Sequence, residues 1–317
     1  MKKLSHFLKT TDLTISQLGE ALELAYKLKK ERGSSTHKPL DGQTWALLFH
    51  KSSTRTRVSF EVGINELGGH AMILDQQRMQ TGRGETVSDT AKVLSRYIHG
   101  IVIRTFEHAF VEEFAKEGSI PVVNALTDDL HPCQIVSDLF TLAERWGKPG
   151  QLLDSLKGRK LVFFGDCASN MAHSWILGGA MAGMEIVLCG PQSFAPEGMI
   201  DALLAEAGLP KTYRFITDAL EAAKEADVIY TDVWVSMGDE EEREHRLREM
   251  APFQVNAAVM AVARPDALFL HCLPAHEGEE VSGEVYHGPQ SIVFDQAENR
   301  LHAQKAILSF LTENKQA

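Results

Sequence analysis

The chain has 317 residues, of which 44% are hydrophobic and 24% are charged, and its formal net charge is −11 at pH 7. This length exceeds what one hydrophobic core usually serves, so two domains are expected. The acidic balance argues against nucleic acid as a partner, because phosphate-backbone binding needs a basic face. A local cluster of arginines can still bind a small anion.

The cysteine pattern indicates a reducing compartment. Cys133, Cys167, Cys189 and Cys272 are widely separated and form no C-x-x-C pair, which is typical of a cytoplasmic protein. The start of the chain, MKKLSHFLKT, lacks the apolar stretch of a signal peptide, and no apolar run reaches membrane-spanning length. We therefore expect a cytoplasmic protein without a membrane partner.

The first half of the chain alternates between helical patterns and short apolar runs. A helix is predicted from about residue 14, where Thr14 and Gln17 have the spacing of a capping box. The apolar runs predict buried strands, and the stretches between them predict helices. The predicted strands are 44–50, 70–75, 100–106 and 121–126, and the predicted helices are 56–67, 86–97 and 132–147.

The pattern then restarts. Strands are predicted at 160–166, 185–190, 227–234 and 267–274, and a last helix is predicted from about residue 301. This alternation predicts an α/β fold with two doubly wound parallel-sheet domains joined by helices. Gly147, Pro149 and Gly150 mark a boundary. The predicted domains are 1–147 and 148–300, with the helix 301–317 returning to the first.

The segment KSSTRTR (51–57) follows the first predicted strand and enters a helix. Ser53, Thr54 and Thr56 supply hydroxyls, and Arg55 and Arg57 supply guanidinium groups. Free backbone N–H groups, the helix dipole and bidentate arginine all favour phosphate. A plain helix cap with surface arginines remains the alternative for this segment alone. Arg104 ends another predicted strand and is a second candidate phosphate ligand.

A second candidate group follows the predicted strand 121–126. His131 precedes a proline at the strand–helix junction, and Gln134 lies one turn further on. Both side chains can point donors at a carbonyl oxygen, as acyl-transfer chemistry requires. An isolated His-Pro pair is more often structural. A functional role for His131 is indicated by its predicted position on the same sheet edge as the candidate anion cradle, the phosphate-binding segment 51–57.

The second half places a different set of groups at its predicted strand ends. The segment 163–174 lacks G-x-G-x-x-G, which argues against a dinucleotide site, and Asn170 there is a candidate carboxylate ligand. Asp232 ends one strand and Cys272 ends the next, a combination suited to an ammonium group and to an amine that loses a proton. Inert packing of the cysteine and a capping role for the aspartate remain the alternatives. The histidines show no metal-ligand spacing, so no metal site is predicted.

Four motifs resemble those of the ornithine carbamoyltransferases. They are S-T-R-T-R (53–57), H-P-C-Q (131–134), D-V-W-V-S-M-G (232–238) and H-C-L-P (271–274), and the segments 82–106 and 298–308 are also similar. The resemblance covers essentially the whole chain. The first two motifs mark carbamoyltransferases in general, and the last two point to ornithine.

The resemblance implies the residues of the site, and it implies a family that is trimeric at its base. The carbamoyl phosphate ligands would be Ser53, Thr54, Arg55, Thr56, Gln80, Arg104, His131, Gln134, Cys272, Leu273 and Arg300, with Gln80 reaching a neighbouring subunit. The ornithine ligands would be Asn170, Asp232, Ser236 and Met237. The family commonly has two consecutive asparagines where this chain reads Ser169-Asn170, which implies a weaker contact to the substrate carboxylate.

The implied reaction is attack of the neutral ornithine δ-amine on the carbonyl carbon of carbamoyl phosphate, giving L-citrulline and phosphate without a cofactor. The expected catalytic residues are Arg55, His131, Gln134, Asp232 and Cys272. Aspartate, putrescine and N-acylornithine are the alternative acceptors. A non-catalytic relative that binds carbamoyl phosphate or an amino acid is the alternative outside enzymes.

Overall fold

The computed structural model describes residues 4–75, 84–196, 198–235 and 240–313. The chain forms two compact units. The first unit contains the residues up to Leu153 together with those from Glu298 onward, and the second unit is Asp154–Ala297. Leu152 and Leu153 belong to the first unit because both contact its first helix: the Leu152 N–H donates to Glu23 at 3.1 Å, and the Leu153 side chain packs against Gly19.

The first unit is built on a parallel four-stranded sheet. Its strands are β1 (Thr44–Phe49), β2 (His70–Asp75), β3 (Gly100–Arg104) and β4 (Val122–Leu126), in the order β2-β1-β3-β4. Its helices are α1 (Ile15–Lys30), α2 (Thr54–Glu66), α3 (Val87–Leu94), α4 (His108–Glu117) and α5 (Pro132–Trp146). The predicted capping box is present at α1, where Thr14 and Gln17 bond reciprocally. Apolar strand residues such as Leu48 and Ile103 share a core with Phe114 of α4.

The second unit is built on a parallel five-stranded sheet. Its strands are β5 (Lys160–Phe164), β6 (Glu185–Cys189), β7 (Tyr213–Ile216), β8 (Val228–Thr231) and β9 (Leu268–His271), in the order β7-β6-β5-β8-β9. Its helices are α6 (Asn170–Ala182), α7 (Met199–Glu206), α8 (Ala219–Ala223), α9 (Arg243–Met250), α10 (Ala257–Val262) and α11 (Gly283–Tyr286). Gly179 lets α6 lie directly on the sheet, since a Cβ there would be 2.4 Å from Ile186.

The α/β class with two parallel sheets is confirmed, and two details of the prediction were wrong. The second sheet has five strands rather than four, because β7 was missed. The last helix, α12 (Val293–Glu313), begins eight residues before the predicted start at Leu301. Among the described residues, no helix is both long and apolar enough to cross a membrane.

Each strand order reverses direction at one point. In the first unit the reversal falls between β1 and β3, and in the second it falls between β5 and β8. Helices that leave adjacent strands on opposite faces open a crevice at the carboxyl edge there, and this is where α/β sheets bind ligands. A ligand site is therefore expected in the segments that follow β1, β3, β5 and β8.

Candidate functional site

The S-T-R-T-R motif forms the start of α2, directly after β1. Ser53 is the N-cap, and its hydroxyl oxygen accepts from the Thr56 N–H at 3.3 Å. The Ser53 O–H proton remains available for donation. Thr54 is exposed, Arg55 is half-buried and Thr56 is buried. Capping and anion binding are thus compatible in this segment, because capping uses the Ser53 hydroxyl oxygen as an acceptor and anion binding uses its proton as a donor.

Two buried arginines lie in the same unit close to His131. Arg300 of α12 donates to the Thr56 hydroxyl at 2.5 Å, and Arg104 ends β3 beside the strand that leads into α2. Burial, and then the positive charges of Arg300 and Arg104, hold the pKa of His131 well below its ordinary value. His131 is therefore a neutral imidazole at physiological pH. It can donate an N–H to a carbonyl oxygen in an electropositive surrounding.

Gln134 lies in the first turn of α5 and is buried. Its Nε2 donates to the Asp138 carboxylate at 2.8 Å, while its Oε1 has no hydrogen-bond partner among the described residues. The sequence suggested a donor aimed at a carbonyl oxygen. The observed contact favours an accepting role for Gln134 instead.

In the second unit, Ser169 and Asn170 begin α6 after β5. Ser169 is the N-cap, and its hydroxyl accepts from the Ala172 N–H at 3.3 Å. Asn170 is the first helical residue and is half-buried. The start of a long helix next to a strand-order reversal favours a carboxylate ligand.

Asp232 and Cys272 are brought together at the ends of β8 and β9. The Cys272 thiol donates to Asp232 Oδ1 at 2.9 Å, and the same oxygen accepts from the Val233 N–H at 2.8 Å. Both side chains are partly exposed. The sequence placed these residues at adjacent strand ends, and the geometry puts them in direct contact.

A buried pair behind Cys272 was missed by the sequence reasoning. His271 Nδ1 accepts from the Leu273 N–H at 2.9 Å, so its Nε2 carries the proton and donates to Glu280 at 3.1 Å. His271 and Glu280 are fully buried, and Leu273 has a positive φ of 61°. The pair therefore holds the Cys272–Leu273 backbone in a conformation that non-glycine residues rarely adopt. No sequence signal marks Glu280, which stands in an acidic stretch that reads as solvated surface.

The four cysteines differ in accessibility. Burial raises the pKa of Cys133 and of Cys189 to about 12, and it raises the pKa of Cys167 well above its ordinary value. These three thiols are buried, whereas Cys272 is partly exposed. Cys272 is therefore the cysteine that can meet a substrate or a thiol reagent.

Among the residues that the structure describes, two groups of side chains have ligand atoms close enough for a metal ion. One is Asp232, His271 and Cys272, and the other is His276, Glu279 and Glu280; within each group the atoms lie within 4.8 Å of one another. The groups already engage each other, since Cys272 donates to Asp232 and His271 donates to Glu280. The absence of a required metal stays a prediction.

Three predicted ligands fall outside the described residues, namely Gln80, Ser236 and Met237. The remaining ones divide between the units. Ser53, Thr54, Arg55, Thr56, Arg104, His131, Gln134 and Arg300 belong to the first unit, and Asn170, Asp232, Cys272 and Leu273 belong to the second.

Two doubly wound units, one with a cationic cradle at its sheet edge, define a two-domain α/β protein with a binding site for an anion. Family models agree with this class. The carbamoyl-P binding domain of aspartate/ornithine carbamoyltransferase matches residues 5–144, and the Asp/Orn binding domain of the same family matches residues 157–311. The chain belongs to the aspartate/ornithine carbamoyltransferase family.

Within this family, the chain is similar to proteins named ornithine carbamoyltransferase. The chain is 50% identical to an ornithine carbamoyltransferase of Clavibacter sepedonicus, over 96% of this chain and 98% of the relative. It is 48% identical to one of Methanoculleus marisnigri, over 97% and 96%. Among solved structures it is similar to the ornithine carbamoyltransferase from Pyrococcus furiosus, with a TM-score of 0.89, 43% identity and 98% of each chain covered.

Proposed function

We propose that this protein transfers the carbamoyl group of carbamoyl phosphate to the δ-amine of L-ornithine, giving L-citrulline and phosphate. The observation that carries the choice of ornithine is the 2.9 Å contact between Asp232 and Cys272. A carboxylate at this strand end attracts an ammonium group and repels the second carboxylate of aspartate. Putrescine lacks the α-carboxylate for which the start of α6 is suited.

Carbamoyl phosphate binds the first unit in this proposal. The leaving phosphate is held by Ser53, Thr54, Arg55, Arg104 and Arg300, together with the backbone N–H groups at the start of α2. The burial of Arg104 and Arg300 supports this assignment, because charge interactions strengthen where water is excluded. Gln80 completes the set from a neighbouring subunit.

The chemical step is attack of a neutral amine on the carbonyl carbon. As the C–N bond forms, the carbonyl oxygen gains negative charge, and Arg55, Thr56 and His131 stabilise it by donating hydrogen bonds. The tetrahedral intermediate collapses when the C–O bond to phosphate breaks, and the departing phosphate takes the proton that the attacking nitrogen must lose. A neutral His131 suits this role, because it donates one N–H at physiological pH, while the arginines supply the positive charge.

Ornithine binds the second unit in this proposal. The α-carboxylate lies at the start of α6 near Asn170, and Asp232 binds the α-ammonium group with Ser236 and Met237. Cys272 and Leu273 lie beside the δ-amine. An amine with an ordinary pKa of ~10 is mostly protonated at neutral pH, so the partly exposed Asp232–Cys272 pair assists loss of its proton. No metal or cofactor is required by these steps.

The assembly we propose is a homotrimer or a multiple of trimers in the cytoplasm, serving arginine biosynthesis. The first unit supports a contact between copies, because several of its large apolar side chains are exposed. They include Val58, Met72, Ile73, Val93 and Tyr97. Met72 and Ile73 lie on β2, an edge strand of the sheet, and exposed apolar surface near a sheet edge is typical of a subunit interface.

One assay tests the substrate. The purified protein is given carbamoyl phosphate with ornithine, aspartate, putrescine or N-acetylornithine, and each carbamoylated product is measured. We expect citrulline at a rate at least about a hundredfold above the other products, as polar recognition of both ornithine head groups predicts. Faster carbamoylation of any rival amine overturns the assignment, and no product from any amine favours a non-catalytic relative. Light scattering of the same sample tests the trimer.

A further inference from the structure

The carboxylate of Asp138 lies inside the first unit, one helical turn beyond Gln134 on α5. Asp138 and Gln134 are 0% and 1% exposed, and Gln134 Nε2 donates to Asp138 Oδ1 at 2.8 Å. A carboxylate only accepts hydrogen bonds. The amide of Gln134 must therefore turn its nitrogen towards Asp138.

The other end of the same amide follows from this contact. Gln134 Oε1 is buried and has no hydrogen-bond partner in the part of the chain that the structure describes. Buried polar atoms are almost always satisfied, so an unsatisfied one needs an explanation, and a ligand is one that fits an atom beside the anion site. Gln134 adjoins His131, whose backbone oxygen accepts from the Gln134 N–H at 3.1 Å. The oxygen is thus an acceptor at the same helix start that offers the His131 donor.

Helix stability alone does not explain the pair. An amide and a carboxylate four residues apart stabilise a helix slightly when they are on its exposed face. Asp138 is instead fully buried, and burying a carboxylate is unfavourable unless the site compensates for its desolvation. An apolar residue at this position would fill the same space without that penalty. Packing alone therefore does not explain the carboxylate, and its contact with Gln134 Nε2 is the one that orients the Gln134 amide.

We propose that Asp138 is a positioning residue that gives the site its selectivity for a carbamoyl group over an acetyl group. This inference rests on the proposed function and deepens it. Asp138 fixes the orientation of the Gln134 amide, and Gln134 Oε1 accepts a hydrogen bond from the carbamoyl –NH2. Acetyl phosphate carries a methyl group at that place and cannot donate. A site built to receive a substrate N–H discriminates against the analogue that lacks it.

The test compares the two ligands by calorimetry on the full-length protein, so that no turnover is needed. In Asp138→Asn, one acceptor atom is replaced by a donor, and in Asp138→Leu both acceptors are removed, so the Gln134 amide can turn. We expect carbamoyl phosphate to bind roughly tenfold more weakly to Asp138→Leu, with a smaller loss in Asp138→Asn. The affinity for acetyl phosphate should change by less than about twofold in either variant, since its methyl group makes no hydrogen bond to lose.

Two controls separate positioning from a general structural role. Ser137→Ala alters the neighbouring buried side chain and should leave the ratio of the two affinities unchanged. In a Gln134→Met background, Asp138→Leu should change that ratio no further, because Asp138 acts through the amide.

Equal weakening of both ligands overturns the proposal, as does an unchanged ratio in a folded variant or a full effect in the Gln134→Met background. If Asp138→Leu does not fold, Asp138→Asn decides alone. Absence of citrulline from the wild-type protein would count against the proposed function, while the affinity ratio would still be measured.

Discussion

The two half-sites differ in how far they are withdrawn from water. In the first unit, most of the assigned side chains are buried, namely Thr56, Arg104, His131, Gln134 and Arg300. At the start of α2, Ser53 and Arg55 are partly exposed and Thr54 is exposed. In the second unit, Asn170, Asp232, Cys272 and Leu273 are all partly exposed. The first is a cationic site for an anion, and the second presents a carboxylate and a thiol to an amine.

This difference fits what each ligand must do. A phosphate leaving group is stabilised by fixed positive charge, which acts most strongly where water is excluded. An ammonium group must instead lose a proton, and a partly exposed site gives that proton a route to solvent. Changes in the first half-site should therefore mainly alter turnover, whereas changes in the second should in addition alter the requirement for ornithine.

The largest effect is expected at Arg55. Arg55→Ala should lower kcat/KM by roughly two to three orders of magnitude, since removal of a donor to a developing oxyanion costs about 3–4 kcal/mol in the transition state. The measurement is initial-rate citrulline formation, with circular dichroism to show that the variant is folded. Arg57→Ala is the matched control, because Arg57 lies in the same turn of α2 but is exposed. Near-normal turnover in folded Arg55→Ala would contradict the assignment of Arg55 to the carbamoyl phosphate site.

The second prediction concerns Asp232. Asp232→Asn should raise the KM for ornithine by roughly thirtyfold, because a charge-assisted contact to an ammonium group contributes about 2 kcal/mol. The KM for carbamoyl phosphate should change by less than about threefold. Asp266→Asn is the control, since Asp266 is an exposed aspartate of the same unit. An equal or larger rise in the KM for carbamoyl phosphate would mean that the two half-sites are wrongly divided.

The sequence predicted strand positions well where the strands form clear apolar runs. β7 was missed because it is a four-residue edge strand whose residues are only partly buried or exposed, so YRFI shows no clear apolar run. The start of α12 was placed too late because its first turns, VFDQAEN, carry polar residues. Gln296 there is nevertheless buried, and it bonds to the His271 N–H and the Tyr230 hydroxyl.

The sequence also identified the strand-end residues of the site but not the side chains behind them. Strand ends of a parallel sheet share one edge, so their polar residues can be grouped from topology alone. Glu280 supports His271 across a loop, and its burial depends on tertiary packing that no local pattern encodes. Asp138 is different, because its spacing of four residues from Gln134 on a predicted helix is a signal that could have been used.

The third prediction concerns the free energy of unfolding at low pH, which depends on a buried histidine of the first unit. His302 of α12 is fully buried, and burial, with nearby Lys305 as the next cause, lowers its pKa from 6.5 to about 3. The folded protein keeps this group neutral, while the unfolded chain takes up a proton below pH 6.5. Its contribution is therefore fully present above pH 6.5 and is lost as the pH falls.

Between pH 7.5 and pH 5, His302 alone should reduce the free energy of unfolding by about 2 kcal/mol. Urea unfolding at both pH values measures this loss. His302→Leu should show a loss smaller by that amount, and His287→Gln, which changes an exposed histidine, should behave as wild type. Identical pH dependence in His302→Leu and wild type would show that His302 does not titrate between the folded and unfolded states.

The smallest effect is expected at Ser169, in the more open half-site. Ser169 caps α6 through its contact with the Ala172 N–H, and asparagine is an equally good N-cap. Ser169→Asn should therefore change the free energy of unfolding by less than ~0.5 kcal/mol. It should lower the KM for ornithine by roughly two- to threefold, because a second amide beside Asn170 can donate to the substrate carboxylate.

Ser169→Ala separates the capping role of this residue from its binding role. It removes the cap and should destabilise the protein by about 1 kcal/mol, with little change in the KM for ornithine if Ser169 itself does not touch the substrate. Norvaline, which has the α-carboxylate but no δ-amine, should inhibit Ser169→Asn more strongly than wild type by the same two- to threefold factor, estimated from one neutral hydrogen bond. Unchanged norvaline inhibition with a lower KM would place the new contact at the amine end. The start of α6 would then no longer be assigned to the carboxylate.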